Sequence, residues 1–189
     1  YPDHTDAATY EDYVVAELER YARFGVTSVN SLGGEREGAK PIAEATWADA
    51  SPAHSRLLIS GDVVVGDTPD QALEMADRNH DMGADWIKIR VDDNLGVPTK
   101  MMPEVYSAVI DRAHEHGLRL AAHLFYLEDA KGLLRAGADL VAHSVRDQQV
   151  DAEVIELFRE TGVCYVPTLV REVSTFVYGE RPAFFDDPF

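Results

Sequence analysis

The chain has 189 residues, 46% of them hydrophobic and 27% charged, with a formal net charge of −17. This is the balance of an ordinary globular protein, long enough for one substantial core but short of the roughly 250 residues of the largest single-domain α/β architectures. The acidic surface repels phosphate backbones and anionic lipid, which excludes nucleic-acid binding through a basic face, and no apolar run reaches the roughly 18 residues that suggest a membrane span.

Cys164 is the only cysteine, so neither an intrachain disulfide nor a thiolate metal cluster can form. Four lysines (Lys40, Lys88, Lys100, Lys131) stand against thirteen arginines, which fits a salt-adapted or high-GC source. The expected partner is a small-molecule substrate; a homo-oligomer stays open, and no compartment is specified beyond a slight preference for the cytoplasm. Position 1 is Tyr rather than Met and no signal-like start is present. The expectation is that the sequence begins inside a longer protein.

In chain order, one unit recurs: an amphipathic segment, a glycine, then a short apolar run. A helix over 10–23 leads into FGVTSV (24–29), and a strand weakened by Gly61 is expected over 56–65. A helix over 70–81, with Asp70 as N-cap, leads into MGADWIKI (82–89), and one over 102–115 into HGLRLAAH (116–123). A helix over 126–135 precedes AGADLVAH (136–143), and one over 151–160, capped by Asp151, precedes TGVCYVPT (161–168). Residues 171–189 read as a loop with a short helix. Glycine just past a helix takes the left-handed conformation without a Cβ clash, and the unbroken apolar runs suit parallel strands covered on both faces. Six such strands alternating with helices predict an α/β fold with a parallel sheet, in one domain over 1–189. Alternation alone does not choose between an open sheet and a closed barrel. Leu32-Gly33-Gly34-Glu35 is too short for a phosphate loop, which disfavours a dinucleotide fold.

Three strands carry a polar residue where packing would prefer an aliphatic one. Period-two alternation puts Trp86, Lys88 and Arg90 on one face and Ile87, Ile89 and Val91 on the other. If the isoleucines face the helices, Lys88 points inward, where an unpaired ammonium is costly. His123 and His143 stand at the ends of the next two strands, at the edge where barrel enzymes do chemistry. Each alone reads as a hydrogen-bonded structural residue or a snorkelling lysine. Together they leave a metal site and a buried polar network as equal readings.

At these residues the sequence resembles the amidohydrolase superfamily, in its imidazolonepropionase-like and prolidase-like branch. The resemblance runs from GVTSVNSLGG through GADWIKI, LRLAAH and AGADLVAHS to GVCYVPTLV, most of the chain. It implies a (β/α)8 TIM-type barrel, here with about six units and without the first and last strands. It also implies that Lys88 is carboxylated by CO2 and bridges two divalent metals, most simply zinc, and that His123 and His143 are metal ligands. The implied reaction is hydrolysis of an amide or cyclic amide C–N bond by metal-activated water. The family's His-x-His pair on strand one and Asp on strand eight are not identifiable in this sequence; they are expected before Tyr1 and after Phe189, which would leave the 189-residue piece inactive on its own.

Other residues are read more plainly. His114-x-His116 lies at a helix end on the edge away from the chemistry, as does His54 ahead of its strand; His80 is expected to face solvent, and His4 to lie on a loop. Arg146 and Arg171 are candidates to clamp a substrate carboxylate, against the plainer reading of surface salt bridges. Loops at 33–38, 66–70, 92–97 and 144–147 are expected to line the pocket, and Lys131 to be a helix position tolerant of substitution. Two other functions compete: a non-catalytic α/β protein that binds a small ligand or is an inactive fragment, and a nucleophilic hydrolase. The second lacks a G-x-S-x-G elbow, and Cys164 precedes or opens its strand.

Overall fold

The computed structural model describes residues 7–35, 38–49, 53–97, 99–177, 179, 181–182 and 186. In chain order these form α1 (Ala7–Arg23), β1 (Ser28–Asn30), α2 (Ala39–Ala48), β2 (Arg56–Leu58), α3 (Pro69–Asp81) and β3 (Trp86–Arg90). There follow α4 (Pro103–Glu115), β4 (Arg119–His123), α5 (Leu127–Ala136), β5 (Leu140–Ala142), α6 (Ala152–Thr161), β6 (Cys164–Val166) and α7 (Leu169–Val177). The glycines expected to stop the helices do so: Gly25, Gly83, Gly117, Gly137 and Gly162 all have φ between +64° and +93°.

Every strand pairing is parallel, β1 with β2 and β3 with β4, β5 and β6 in that order. The expected strand over 56–65 is interrupted, and the reason is local. Gly61 turns left-handed at φ +72°, and the amide of Asn79 fills the space beside it, accepting from Asp62 N (3.1 Å) and donating to Asp62 O (2.7 Å). The chain regains the sheet at Val64, which bridges to Ile89 in parallel. Six parallel segments thus follow one another in chain order, with helices between them.

The two faces of the sheet differ as alternation requires. Ile87, Ile89, Leu120, Ala122 and Val141 pack against Ala72, Ala76, Val109, Ile110, Leu133, Leu134 and Val154 of the helices, and most have no exposed surface at all. The opposite face gathers a smaller cluster, Ala121, Leu140 and Ala142 with Leu32 and Trp86 against it. Small residues there leave room for longer polar ones.

Two sequence expectations are corrected. Helix α2 was not foreseen: Gly38 offers no side-chain cap and Pro41 sits in its first turn, yet Ala39, Ile42, Ala43 and Thr46 recur at helical spacing and are buried. The N-cap of α3 is Thr68, not Asp70, because Pro69 takes the first helical position and Thr68 Oγ1 accepts from Gln71 N. Asp151 does cap α6, accepting from Val154 N at 3.0 Å. Lys131 lies on a helix as read, α5, but its burial there carries no sign in the sequence. It is 5% exposed, and its ammonium meets Asp151 (2.7 Å), Glu128 (2.9 Å) and Glu153 (2.9 Å). The short helix expected after residue 171 is α7, which starts at Leu169.

Candidate metal centre

Lys88 stands mid-strand in β3, in register with Ala121 of β4, so no bulky neighbour crowds its stem on the inner face. The loop after β1 covers it. Gly33, at φ +101°, lies so close that a Cβ there would collide with Val63 Cγ2 and sit 3.6 Å from Lys88 Cγ. Glu35 holds this loop down, accepting from Gly33 N and from Ser60 N. The result is a lysine 3% exposed whose Nζ is buried without a hydrogen-bond partner. Burial first, and then the charge of Arg90, bring its pKa down from 10.5 to about 7, against the opposing pull of Asp92. Much of Lys88 is therefore a neutral amine near physiological pH.

His123 ends β4 in register with Arg90 and Ala142. Its Nε2 is 3.0 Å from Asp92 Oδ2. His143 follows β5, where alternation from the buried Val141 would send its side chain out toward the helices. Its backbone instead turns left-handed, φ +76°, and brings the imidazole back inside. The His123 and His143 rings meet edge-on, with centroids 4.3 Å apart and planes at 60°. His143 Nδ1 lies 3.0 Å from Thr168 Oγ1, and its backbone N–H donates to Val166 O at 2.7 Å. Burial is the main cause that lowers the pKa of both rings, to about 4 for His143 with Lys88 adding to it; for His123 the charge of His143 adds to burial. Both imidazoles are neutral at pH 7 and keep a lone pair.

The three predicted residues come together. Lys88, His123 and His143 line one cavity of about 390 Å³ with Arg90, Leu32, Val63 and Val65. Arg146 and Arg171 do not line it. Arg146 is held fork-wise by Glu172 through Nε (2.9 Å) and Nη2 and lies over the Phe125 ring, while Arg171 is mostly exposed and reaches the same carboxylate at 3.5 Å. The other histidines serve elsewhere. His114 pairs with Asp139 (3.0 Å), His116 with Asp77 (2.8 Å) and His54 with Asp49 (3.6 Å), while His80 stacks on His116 at 3.9 Å. His4 lies outside the described residues. Among the described residues no three His, Cys, Asp or Glu side chains gather in a group that could hold a metal ion. No helix among them is long and apolar enough to cross a membrane.

Two residues of this site went unnoticed in the sequence. Asp92 was within reach, because the period of two that singles out Lys88 and Arg90 falls next on it; it is 4% exposed, accepts from Arg90 Nε and lies 3.0 Å from His123 Nε2. Thr168 was not, since its contact with His143 depends on a left-handed turn at φ +53°.

No protein-family profile matches the chain. An uncharacterized protein of Mycobacterium tuberculosis is 34% identical over 86 residues, 46% of this chain and 22% of that protein, and one of Mycobacterium bovis matches equally. Among solved structures, a Xaa-Pro dipeptidase with methionine in its active site superposes with a TM-score of 0.73 at 22% identity, over 93% of this chain and 52% of its own. Aspergillus niger ochratoxinase gives 0.76 at 16% identity, over 96% and 51%, and an amidohydrolase 0.71 at 21%, over 88% and 48%. The chain spans about half the length of these structures. Over that half, it has the α/β fold of amidohydrolase-type and prolidase-type barrels, as the motifs led one to expect.

Proposed function

We propose that this chain supplies the Lys88–His123–His143 part of a metal centre in an amidohydrolase-type enzyme that cleaves an amide or cyclic amide C–N bond. The observation that carries this reading is Lys88: a buried, unpartnered amine with its pKa near 7, facing two neutral imidazoles across one cavity. A fully buried ammonium without an acceptor destabilises the fold, and a structural lysine would be expected to reach a carboxylate, as Lys131 does. A neutral amine, in contrast, is the form that adds to CO2. Its nitrogen lone pair forms the N–C bond, one C=O π pair moves to oxygen, and a proton leaves to solvent, giving a carbamate whose single negative charge is shared by two oxygens. That modification would add hard oxygen donors to the two imidazoles, so that Lys88, His123 and His143 would together contribute to holding divalent cations such as zinc. Bound there, the cations would supply Lewis-acid activation of water and of the scissile carbonyl.

The chain's own residues set the surroundings. Leu32, Val63 and Val65 form the apolar wall of the cavity, and Gly33 keeps the loop low over Lys88. Similarity in fold to an amidohydrolase, a Xaa-Pro dipeptidase and an ochratoxinase supports a hydrolase of this kind. The test is the metal and carbon content of the full-length protein. Purified without chelators, it should hold close to two zinc, manganese, iron or cobalt ions per chain, and 13C-bicarbonate should label Lys88 as a carbamate detectable by NMR. A protein without divalent metal, whose Lys88 takes up no label, would sink the proposal and favour a non-catalytic binding protein.

A further inference from the structure

Arg90 stands two residues beyond Lys88 on the same face of β3, in register with His123 of β4. It lines the cavity that holds Lys88 and the two imidazoles, whose remaining walls are the apolar side chains of Leu32, Val63 and Val65. With both imidazoles neutral and much of Lys88 neutral as well, Arg90 is the one lasting charge among the described residues that line it. Its head is fixed. Nε donates to Asp92 Oδ1 and Nη2 to Asn94 Oδ1, both at 3.1 Å, and the Asn94 backbone N–H in turn donates to Asp92 Oδ1 at 3.1 Å. A guanidinium has five N–H donors, of which these contacts engage two; both hydrogens on Nη1 are without a partner among the described residues. The side chain is 36% exposed, so a ligand can reach them.

We propose that Arg90 is the specificity-determining residue of this cavity: it takes the carboxylate of a small amide substrate with an apolar body, of the N-acyl amino acid class. As a statement about substrate this rests on the metal-centre reading proposed above; the carboxylate site itself does not. A carboxylate accepts from a guanidinium edge through both oxygens, and a head already held by Asp92 and Asn94 loses little freedom on binding. Asp92 does not fill that place. It engages Nε alone, and it lines the neighbouring cavity with Asp67, Gln71 and Thr99 rather than this one. A volume of about 390 Å³ walled by Leu32, Val63 and Val65 suits a small ligand whose other surface is apolar. The chain as a whole, at −17, repels anions at long range, so the group that admits one must be local. Arg146 and Arg171 do not serve, since both lie outside the cavity and reach Glu172.

The experiment uses the full-length protein, 15N-labelled at arginine and metal-free, so that no carboxylate is drawn to a metal instead. The probes are N-acetyl-L-leucine and N-acetyl-L-leucinamide, which share a shape and differ in charge. The acid should shift the Arg90 Nε–H signal and bind about 10- to 100-fold more tightly than the amide. Arg90→Gln should remove that preference and leave the weak binding of the amide unchanged, while Arg90→Lys, which keeps the charge without the fork, should fall between. Equal binding of acid and amide by the wild type, or no binding of the acid in the millimolar range, overturns the proposal even if Arg90→Gln fails to fold. Undiminished acid binding by a folded Arg90→Gln overturns the role of Arg90. A wild type that binds the acid through Arg90 but takes up no zinc supports the carboxylate site and overturns the metal-centre reading.

Discussion

The His143 imidazole reaches His123 only because its own backbone is left-handed: at φ +76° the ring swings from the helix side of the sheet to the interior, 4.3 Å from its neighbour. A residue with a Cβ holds such a conformation at a cost of about 1–3 kcal/mol, which its surroundings must offset. Here the His143 N–H bond to Val166 O and the Nδ1 contact with Thr168 do so.

Substitutions at this position should separate backbone from chemistry. His143→Asn, whose side chain tolerates the left-handed region, should unfold near the wild-type denaturant midpoint while losing zinc binding. His143→Val, β-branched at positive φ, should lose about 1–3 kcal/mol as well as zinc. Chemical unfolding and zinc titration of the full-length protein check both. Equal stability of the two variants would show that the turn at residue 143 carries no strain.

The buried amine of Lys88 makes a pH prediction for the metal-free, CO2-free protein. Its folded pKa lies near 7 and its unfolded value near 10.5, so between those values the unfolded chain holds the proton and the folded chain has released it. Stability should therefore rise as pH increases from about 7 toward 10.5, and the burden is fully present below pH 7. Each pH unit is worth about 1.4 kcal/mol at most. Lys88→Met should remove this slope and stabilise the metal-free protein at neutral pH, by at least about 1 kcal/mol, while abolishing metal binding. Urea unfolding of both proteins at pH 6.5, 8 and 9.5, values spanning about the titration range, provides the comparison. Parallel curves would mean that Lys88 is not desolvated.

Lys131 makes the complementary case. Its ammonium joins Glu128 on its own helix to Asp151 and Glu153 at the start of α6, and these carboxylates raise its pKa, with Asp151 the largest cause. A raised lysine pKa means that the stabilisation is present throughout the neutral range and is lost only when alkaline pH strips the proton from the folded state. Lys131→Ala should lower the thermal midpoint at neutral pH and leave zinc stoichiometry and the His123 ring signals unchanged. Loss of zinc in this variant, with the fold intact by circular dichroism, would place Lys131 in the site after all.

What the sequence determined by itself is what depends on near neighbours along the chain. A glycine after an amphipathic run ends a helix whatever lies beyond it, and alternation along WIKIR assigns Lys88 and Ile87 to opposite faces because a strand's pleat has a period of two. The inward lysine, the parallel α/β order and two strand-end histidines were legible on those grounds. What only the tertiary structure decided is which distant groups meet. Asp92 with His123, Arg146 with Glu172 and Lys131 with Asp151 each join residues from separate elements, and no local pattern marks them as partners. The break at Gly61 follows from Asn79 arriving on helix α3, and the ring of His143 departs from the strand's count because one φ angle changes sign. Periodicity is a property of the backbone and can be read residue by residue; a charge pair or a reversed φ is settled by packing, which the linear order does not contain.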